Sequence, residues 1–320
     1  MVVPRVTLNQ AFDLMRAGRK PEAALILTEL AAAGDPGAVF TVGYLRFMGD
    51  MFPQDAVAGR ALFERASEAG HAQGAIFYTN LLAAGIAGPR DWPEALRRLR
   101  REARQDAARR RALSLLEKMK LTADGDPRGP LRGETISETP SVAIFPRLFS
   151  ADECGYLADI AAPSFEPSLV VDPVTGRDYP DPIRTSDGST LHWLIEDPLV
   201  HALNRRIAAA AGSAVEQGES LHILRYRPGQ QYRSHMDAIP GKENQRIATA
   251  LVYLNDGYAG GETRFPKGGF QVKGNKGDAV VFGNVLPDGR PDPMSEHAGL
   301  PVLSGEKLLA SRWICERPLR

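Results

Sequence analysis

The sequence predicts a protein of two architectures: an N-terminal α/α helical repeat array, followed by a β-sandwich or β-barrel with flanking helices. The chain has 320 residues, which is enough for two domains. The first hundred residues are rich in alanine and repeat themselves with a constant period. From residue 219 onward, short β-type runs are separated by Gly and Pro. A composition of 43% apolar and 24% charged residues supports an ordinary globular core.

The helical prediction rests on a repeat of 36 residues. Residues equivalent after this shift are Gly34 and Gly70, Gly49 and Gly85, Asp55 and Asp91, and the small residues Ala23, Gly59 and Ala95. Glycine ends helices because it adopts the left-handed conformation at no steric cost, and small residues let neighbouring helices approach closely. We therefore expect stacked helical hairpins, an architecture that binds partners on a concave face and carries out no chemistry itself.

Two stretches separate the halves of the chain. Residues 97–111, RRLRREARQDAARRR, contain eight arginines but no aromatic residue, which favours a solvated basic helix capping the array over a nucleic-acid arm. Residues 121–140 are rich in Gly, Pro and polar residues and are typical of a linker. The predicted domains are therefore 1–120 and 141–320.

The second half begins with helices and continues with strands. The segments 150–161 and 196–212 are typical of helices, with Ser150 as N-cap and Glu153 at the capping-box position. The strand candidates after them are LHILRYR, RIATALVYLN, GGFQVK, GDAVVF and KLLASRWIC. Strands at this spacing indicate a sandwich or a barrel.

Charge and apolar patterning narrow the partners and the location. Lys+Arg and Asp+Glu number 39 each, so no overall charge points to nucleic acid or to a membrane surface. The N-terminal stretch lacks the apolar core of a signal peptide, and no apolar run is long enough for a membrane span. The two cysteines, Cys154 and Cys315, make no disulfide framework, so we treat both as structural and expect a cytoplasmic location.

The stretch QYRSHMDAIP carries the chemistry. If it is a strand, alternation puts His235 and Asp237 on one face. A His and a carboxylate are two thirds of a facial triad for non-haem iron, although a pair this short is more often a solvated strand or turn. Of the six histidines, His297 could supply the third ligand, since strand candidates separate it from His235. Lys307 lies ten residues further on and could hold the far end of a dicarboxylate co-substrate.

At this point a family resemblance becomes visible. The segments RYRPGQQYRSHMD, RIATALVYLN, GGETRFP, KGDAVVF and EHAGLPVLSGEKLLASRWI, over residues 140–318, resemble the prolyl 4-hydroxylase branch of the Fe(II)- and 2-oxoglutarate-dependent dioxygenases. That resemblance implies a double-stranded β-helix, or jelly roll. Residues 10–106 resemble the Sel-like class of tetratricopeptide-type repeats.

The resemblance implies roles for individual residues. The implied Fe(II) ligands are His235, Asp237 and His297; the implied 2-oxoglutarate residues are Lys307 and Tyr226, with Thr249 and Tyr253 lining that pocket. Implied on the substrate side are Tyr232, Arg184, Ser186, Glu219 and Arg246. Leu300 and Leu308 stand where the family often has Cys and Trp, at packing positions. No ligand position is altered, which argues against an inactive enzyme.

The resemblance also implies an activity. We expect hydroxylation of a prolyl residue in a protein or peptide, using Fe(II), 2-oxoglutarate and O2, releasing succinate and CO2, with ascorbate as a reductant. The repeats would recruit a partner protein. The alternatives are an oxygenase acting on a small molecule or another residue type, and a non-enzymatic repeat-based scaffold. A nucleic-acid demethylase is disfavoured because that branch typically binds 2-oxoglutarate through arginine, where this sequence has Lys307.

Overall fold

The computed structural model describes residues 6–171, 178–179 and 183–319 of the chain. The chain divides into two compact units, one formed by residues 1–113 with 193–198 and the other by residues 114–192 with 199–320. Among the described residues, no helix has the length and apolarity that are needed to cross a membrane.

The first unit is a stack of antiparallel helices. Their bounds are α1 Leu8–Arg16, α2 Lys20–Ala32, α3 Pro36–Met48, α4 Ala56–Glu68, α5 Ala72–Ala84, α6 Trp92–Glu102 and α7 Ala107–Leu116, the last of which continues into the second unit. Helices α4 and α5 begin 36 residues after α2 and α3, and α6 begins 36 residues after α4. The predicted helical repeat is therefore confirmed in its period and in its hairpin architecture.

The repeated residues are the ones that start and stop the helices. Asp55 and Asp91 are the N-caps of α4 and α6, and each carboxylate accepts a hydrogen bond from the backbone N–H three residues further on. Gly49 and Gly85 end α3 and α5 in the left-handed conformation, with φ of 75° and 71°. The 36-residue period of the sequence therefore corresponds to the spacing of the residues at which helices begin and end.

The small residues of the repeat lie where two helices touch. A Cβ atom added to Gly59 of α4 would lie 2.8 Å from the Cβ of Phe47 and 2.9 Å from the carbonyl oxygen of Gly43, both on α3. A side chain at Gly59 would therefore force these two helices apart, and the equivalent positions of the repeat hold the small residues Ala23 and Ala95.

The arginine-rich stretch differs from its prediction as one solvated helix. It is split between α6 and α7, and two of its arginines are buried. Arg98 donates from Nε to Thr79 Oγ1 at 3.1 Å, and Arg109 donates to Glu102 Oε2 at 2.8 Å and to Asn80 Oδ1 at 3.0 Å. Arginine is a helix former whether its side chain is buried or exposed, so the sequence predicted helix here but not the burial of these side chains. Their partners lie on neighbouring helices.

The second unit is built mainly from one eight-stranded and one four-stranded antiparallel sheet, with two further two-stranded sheets. Its strands are β1 Glu134–Glu138, β2 Ser141–Phe145, β3 Glu166–Pro167, β4 Val170–Val171, β5 Asp178–Tyr179, β6 Asp187–Leu191, β7 Leu221–Tyr226, β8 Tyr232–His235, β9 Arg246–Tyr253, β10 Ala259–Gly260, β11 Thr263–Phe265, β12 Phe270–Val272, β13 Ala279–Gly283, β14 His297–Gly299, β15 Val302–Ser304 and β16 Lys307–Cys315; its further helices are α8 Ala151–Ala161 and α9 Pro198–Ala210. The larger sheet has the order β1-β2-β13-β9-β16-β7-β6-β3 and the smaller one β12-β11-β14-β8.

The core lies between the two sheets. Leu224, Leu251 and Tyr253 of the larger sheet form one buried cluster with Phe265 and Val272 of the smaller sheet. Because side chains alternate along each strand, one face of each sheet enters this cluster. This is the jelly-roll architecture that the resemblance implied.

The predicted linker also differs from the structure. Within residues 121–140, Leu121 forms a bridge with Pro127, and β1 pairs with β2 at the edge of the larger sheet. The linker prediction is therefore wrong for Glu134–Glu138. The Gly and Pro residues around ETISE masked its β-type residues, and the strand forms by hairpin pairing with β2.

The predicted capping box of α8 is confirmed. The Ser150 hydroxyl accepts a hydrogen bond from the Glu153 backbone N–H at 3.2 Å, and the Glu153 carboxylate accepts one from the Ser150 N–H at 2.7 Å.

Replacing Ser150 with alanine removes one of these bonds. We expect Ser150→Ala to lower the free energy of unfolding by about 1 kcal/mol, because a backbone N–H at the helix start loses its partner. Urea denaturation monitored by circular dichroism measures this, with the exposed Ser304→Ala as the control. Equal midpoints for Ser150→Ala and the wild type would contradict the capping role.

Candidate metal centre

Strand pairing brings the three predicted ligands together. β8 and β14 are antiparallel neighbours, and His235 is the register partner of His297. Asp237 lies two residues beyond the end of β8. Its Oδ1 is 3.5 Å from His235 Nε2 and its Oδ2 is 3.6 Å from His297 Nε2. One ligand atom from each residue lies within 4.8 Å of the others.

Hydrogen bonds fix the orientation of both imidazole rings. His235 Nδ1 donates to the Arg233 carbonyl oxygen at 2.8 Å, and His297 Nδ1 donates to the Ser295 carbonyl oxygen at 3.0 Å. A ring that carries its proton on Nδ1 keeps a lone pair on Nε2. Both Nε2 atoms therefore face Asp237 as acceptors, which is the arrangement that metal-binding histidines use.

The carboxylate of Asp237 is held in the same way. Thr249 of β9 donates from Oγ1 to Asp237 Oδ2 at 2.7 Å, and Asn284 Nδ2 donates to Thr249 Oγ1 at 2.9 Å. Burial tends to raise the pKa of Asp237, but the positive charge that the two imidazoles carry when they are protonated, together with the Thr249 hydroxyl, outweighs burial and holds that pKa well below its usual range. Asp237 is therefore an anion at neutral pH.

The donor set fits Fe(II). Burial lowers the pKa of His297 to about 4, so at pH 7 this ring is neutral and able to bind a metal. Two neutral imidazoles and one carboxylate form the facial triad of non-haem iron sites, which leaves coordination positions open for a co-substrate and for O2. Among the described residues, His235, Asp237 and His297 form the one group of three or more His, Cys, Asp or Glu side chains that could hold a metal ion.

Lys307 supplies a buried cation beside the triad. Its side chain is 3% exposed, and Nζ donates to the Gly261 carbonyl oxygen at 2.7 Å. Nζ lies 5.5 Å from the ring centroids of Tyr226 and of Tyr253. Burial lowers the pKa of Lys307 to about 8. No carboxylate of the described residues forms an ion pair with it, so the ammonium group is available to an anionic ligand.

Triad and lysine face the same small cavity, which has a volume of about 40 Å³. Its wall consists of Arg184, Leu224, Tyr226, Tyr232, His235, Asp237, Leu251, Thr263, His297, Gly299, Lys307, Leu309, Ser311 and Trp313. Sequence reasoning missed seven of these residues: Leu224, Leu251, Thr263, Gly299, Leu309, Ser311 and Trp313. For the last three a signal existed, because they alternate along β16 from Lys307 and must share its face.

Two predicted pocket residues lie elsewhere. The Thr249 hydroxyl bonds Asp237 rather than lining the cavity. The Tyr253 hydroxyl donates to the Val272 carbonyl oxygen at 3.3 Å and also stays outside the lining. The prediction that these two residues line the 2-oxoglutarate pocket is therefore corrected: Thr249 orients the carboxylate ligand, and Tyr253 packs in the core between the sheets.

Arg184 and Tyr232 are the predicted substrate residues that reach the cavity. Arg184 forms a bridge with Tyr232 at the start of β8, and its guanidinium lies 5.0 Å from the Tyr232 ring centroid. Tyr232 in turn stacks on His235 with ring centroids 3.5 Å apart. Arg184 is 9% exposed, and its Nε and Nη2 atoms have no hydrogen-bond partner in the part of the chain that the structure describes.

The other three predicted substrate residues do not line the cavity. Glu219 and Arg246 form a bidentate ion pair at 2.7 and 2.8 Å. The Arg246 guanidinium lies 4.1 Å from the ring centroid of the cavity residue Trp313, so this pair stands behind the wall. Ser186 is buried and shares a hydrogen bond of 2.9 Å with Ser168.

Comparison with known proteins places the chain in a class. Residues 221–315 match the family model described as the 2OG-Fe(II) oxygenase superfamily. Prolyl 4-hydroxylase 1 of Arabidopsis thaliana is 38% identical over 208 residues, which cover 59% of this chain and 74% of that protein. The chain therefore belongs to the prolyl 4-hydroxylase family of the 2OG-Fe(II) oxygenases. Membership implies Fe(II) as cofactor, with 2-oxoglutarate and O2 as co-substrates.

Solved structures show likenesses to both halves. A viral collagen prolyl hydroxylase from Paramecium Bursaria Chlorella virus-1, in complex with 2OG, is 28% identical with a TM-score of 0.44, covering 54% of this chain and 95% of that chain. A Sel1 repeat protein from Oxalobacter formigenes is 17% identical with a TM-score of 0.32, covering 36% of this chain and 46% of that chain.

The Thr249 hydroxyl provides a test of the metal centre. We expect Thr249→Val to weaken metal binding by about 10- to 100-fold, because Asp237 loses the hydrogen bond that orients it. Mn(II) titration followed by electron paramagnetic resonance measures the affinity. Thr190→Val is the matched control, since Thr190 Oγ1 bonds His222, which is outside the triad. Equal affinities of Thr249→Val and the wild type would contradict this role.

Proposed function

We propose that this protein hydroxylates a prolyl residue of a protein or peptide substrate, with His235, Asp237 and His297 holding Fe(II) and Lys307 holding 2-oxoglutarate. In this reaction the substrate C–H bond, O2 and 2-oxoglutarate give a hydroxylated residue, succinate and CO2. Family membership supports the reaction class. The names of the relatives support proline as the residue that is modified.

A single observation carries the proposal: the triad and an unpaired buried lysine face one cavity. The three metal-binding residues and Lys307 all belong to the lining of that cavity. A keto acid that binds the metal through its 1-carboxylate and 2-oxo groups needs a cation for its distal carboxylate, and a low-dielectric site strengthens that attraction. Arg184 and Tyr232 then remain for the substrate.

Each side chain has a separate task. Bound iron supplies O2 activation coupled to oxidative decarboxylation of the keto acid. The backbone carbonyls that accept from both Nδ1 atoms keep the imidazole Nε2 atoms pointed at the metal position. Thr249 keeps Asp237 in place. The Tyr232 ring covers His235, and the Arg184 guanidinium offers N–H donors to a carbonyl of an extended peptide.

Mass spectrometry of a peptide library tests the proposal. Wild-type protein with Fe(II), 2-oxoglutarate and ascorbate should add one oxygen atom to prolyl residues of a random-sequence library, with equimolar succinate. His235→Ala is the inactive control. If oxygen were added to another residue type, or if only a small molecule were hydroxylated, the protein would instead be an oxygenase with a different substrate. A folded, iron-loaded protein that turns over neither would contradict the proposal.

The lysine predicts a pH dependence of co-substrate binding. Below about pH 8 Lys307 is an ammonium and attracts the distal carboxylate; above that pH the unliganded lysine loses its proton. We expect the affinity of the Mn(II)-loaded protein for 2-oxoglutarate to fall by about ten-fold per pH unit above pH 8. Calorimetric titration of the wild type and Lys307→Arg measures this. Arginine keeps its charge, so parallel curves for the two proteins would contradict the prediction.

Arg184 predicts a selective effect on the substrate. We expect Arg184→Leu to raise KM for the peptide substrate at least ten-fold, with KM for 2-oxoglutarate unchanged, because Nε and Nη2 of Arg184 have no hydrogen-bond partner among the described residues and can bind the peptide. Steady-state kinetics with each substrate varied in turn measure the two constants. The neighbouring exposed Arg233→Leu is the control. An unchanged peptide KM would remove Arg184 from the substrate site.

Recruitment and location complete the proposal. Repeat arrays present extended surfaces, which supports the recruitment of a partner protein by the helices of the first unit. Cys154 and Cys315 are buried free thiols, which is compatible with a reducing compartment. The cytoplasmic location, ascorbate as reductant and the absence of a nucleic-acid partner stay predictions.

A further inference from the structure

The second unit contains another cavity that shares no lining residue with the metal cavity. Its volume is about 650 Å³. One wall comes from residues 115–132, which include part of the stretch predicted as a linker, and the other from residues 145–153 at the end of β2 and the start of α8. Arg206 and Lys276 complete the lining.

The lining of this cavity is strongly cationic. Two of its basic residues are neutralised locally, because Arg206 pairs with Glu153 at 2.8 Å and Lys118 pairs with Asp152 at 3.5 Å. The remaining basic residues of the lining are Lys120, Arg128, Arg132, Arg147 and Lys276. None of these five forms an ion pair with another described residue. The whole chain has a formal net charge of zero, so this excess is local to the cavity.

The floor of the cavity is apolar. We use this name for the buried or half-buried lining residues Leu115, Met119, Leu131, Phe145 and Leu148, and the name rim for the five unpaired cations, of which four are exposed and Lys276 is half-buried. A cationic rim above an aliphatic floor complements a chain segment in which carboxylates alternate with aliphatic side chains. It does not suit single-stranded nucleic acid, which needs several exposed aromatic rings for successive bases, because Phe145 is the one aromatic ring of the described lining that is not fully buried.

We propose that this cavity docks an acidic, leucine-bearing peptide segment of a protein partner. The docking uses charge attraction at the rim and burial of an aliphatic side chain on the floor. It requires neither Fe(II) nor 2-oxoglutarate, so it goes beyond the proposed function and can fail independently of it. A partner held here and a residue held at the metal centre bind to different surfaces of the same unit.

Fluorescence anisotropy with a labelled peptide of three Glu-Glu-Leu repeats tests the docking. The measurement uses the full chain without iron and without 2-oxoglutarate. Peptides with Gln-Gln-Leu and Lys-Lys-Leu repeats and a ten-nucleotide oligothymidine are the comparison probes. The test variants are Lys120→Glu/Arg132→Glu and, as a milder pair, Lys120→Gln/Arg132→Gln. The matched control is Arg65→Glu/Arg104→Glu, which changes the net charge equally at exposed positions of the first unit.

We expect the Glu-Glu-Leu peptide to bind, with an affinity that falls as ionic strength rises. The affinity should fall at least about ten-fold in Lys120→Glu/Arg132→Glu, less in the glutamine pair, and remain unchanged in the control pair. Equal binding of the Gln-Gln-Leu peptide, equal loss in the control pair, or no binding would overturn the proposal. Tighter binding of the oligothymidine than of the acidic peptide would also overturn it, in favour of a nucleic-acid surface.

Discussion

The antiparallel pairing of β8 with β14 is the constraint on which the site depends. It places His235 opposite His297 in the smaller sheet, although 62 residues separate them in the chain. Asp237 then needs only a short turn beyond β8 to bring its carboxylate between the two rings. A slip of the register by one residue would turn one imidazole to the opposite face of the sheet, and the three donors would no longer converge.

The larger sheet supports this arrangement from the other side of the core. β9 supplies the Thr249 hydroxyl that fixes Asp237, and β16 supplies Lys307. The site therefore buries the Asp237 carboxylate and the Lys307 ammonium in the apolar core between the two sheets. This burial lowers the free energy of unfolding when no ligand is bound. A divalent cation and a dicarboxylate neutralise both groups, and ligands that bind only the folded state stabilise it by mass action. The two buried charges of this cavity are thus expected of a site built for two oppositely charged ligands.

Local signals carried most of what the sequence could predict. Helix boundaries in the array were readable because Asp caps and Gly stops act within one turn, and Ser150 with Glu153 were readable for the same reason. The strand with Lys307 also held a readable pattern, since Leu309, Ser311 and Trp313 share its face. Relations between distant residues were not readable. The sequence does not show whether the Thr249 hydroxyl faces the co-substrate pocket or bonds Asp237. The packing of β9 against the turn after β8 decides that it bonds Asp237. The partners of Arg98 and Arg109 lie on other helices.

The most direct test of the central claim is the binding of both ligands at one centre. Anaerobic addition of Fe(II) and then 2-oxoglutarate to the purified protein should produce a visible metal-to-ligand charge-transfer band that saturates at one equivalent of each. The band should be absent in His235→Ala, require more 2-oxoglutarate in Lys307→Ala, and be unchanged in the exposed Lys20→Ala. A folded wild-type protein that takes up Fe(II) but gives no band with 2-oxoglutarate would contradict the account.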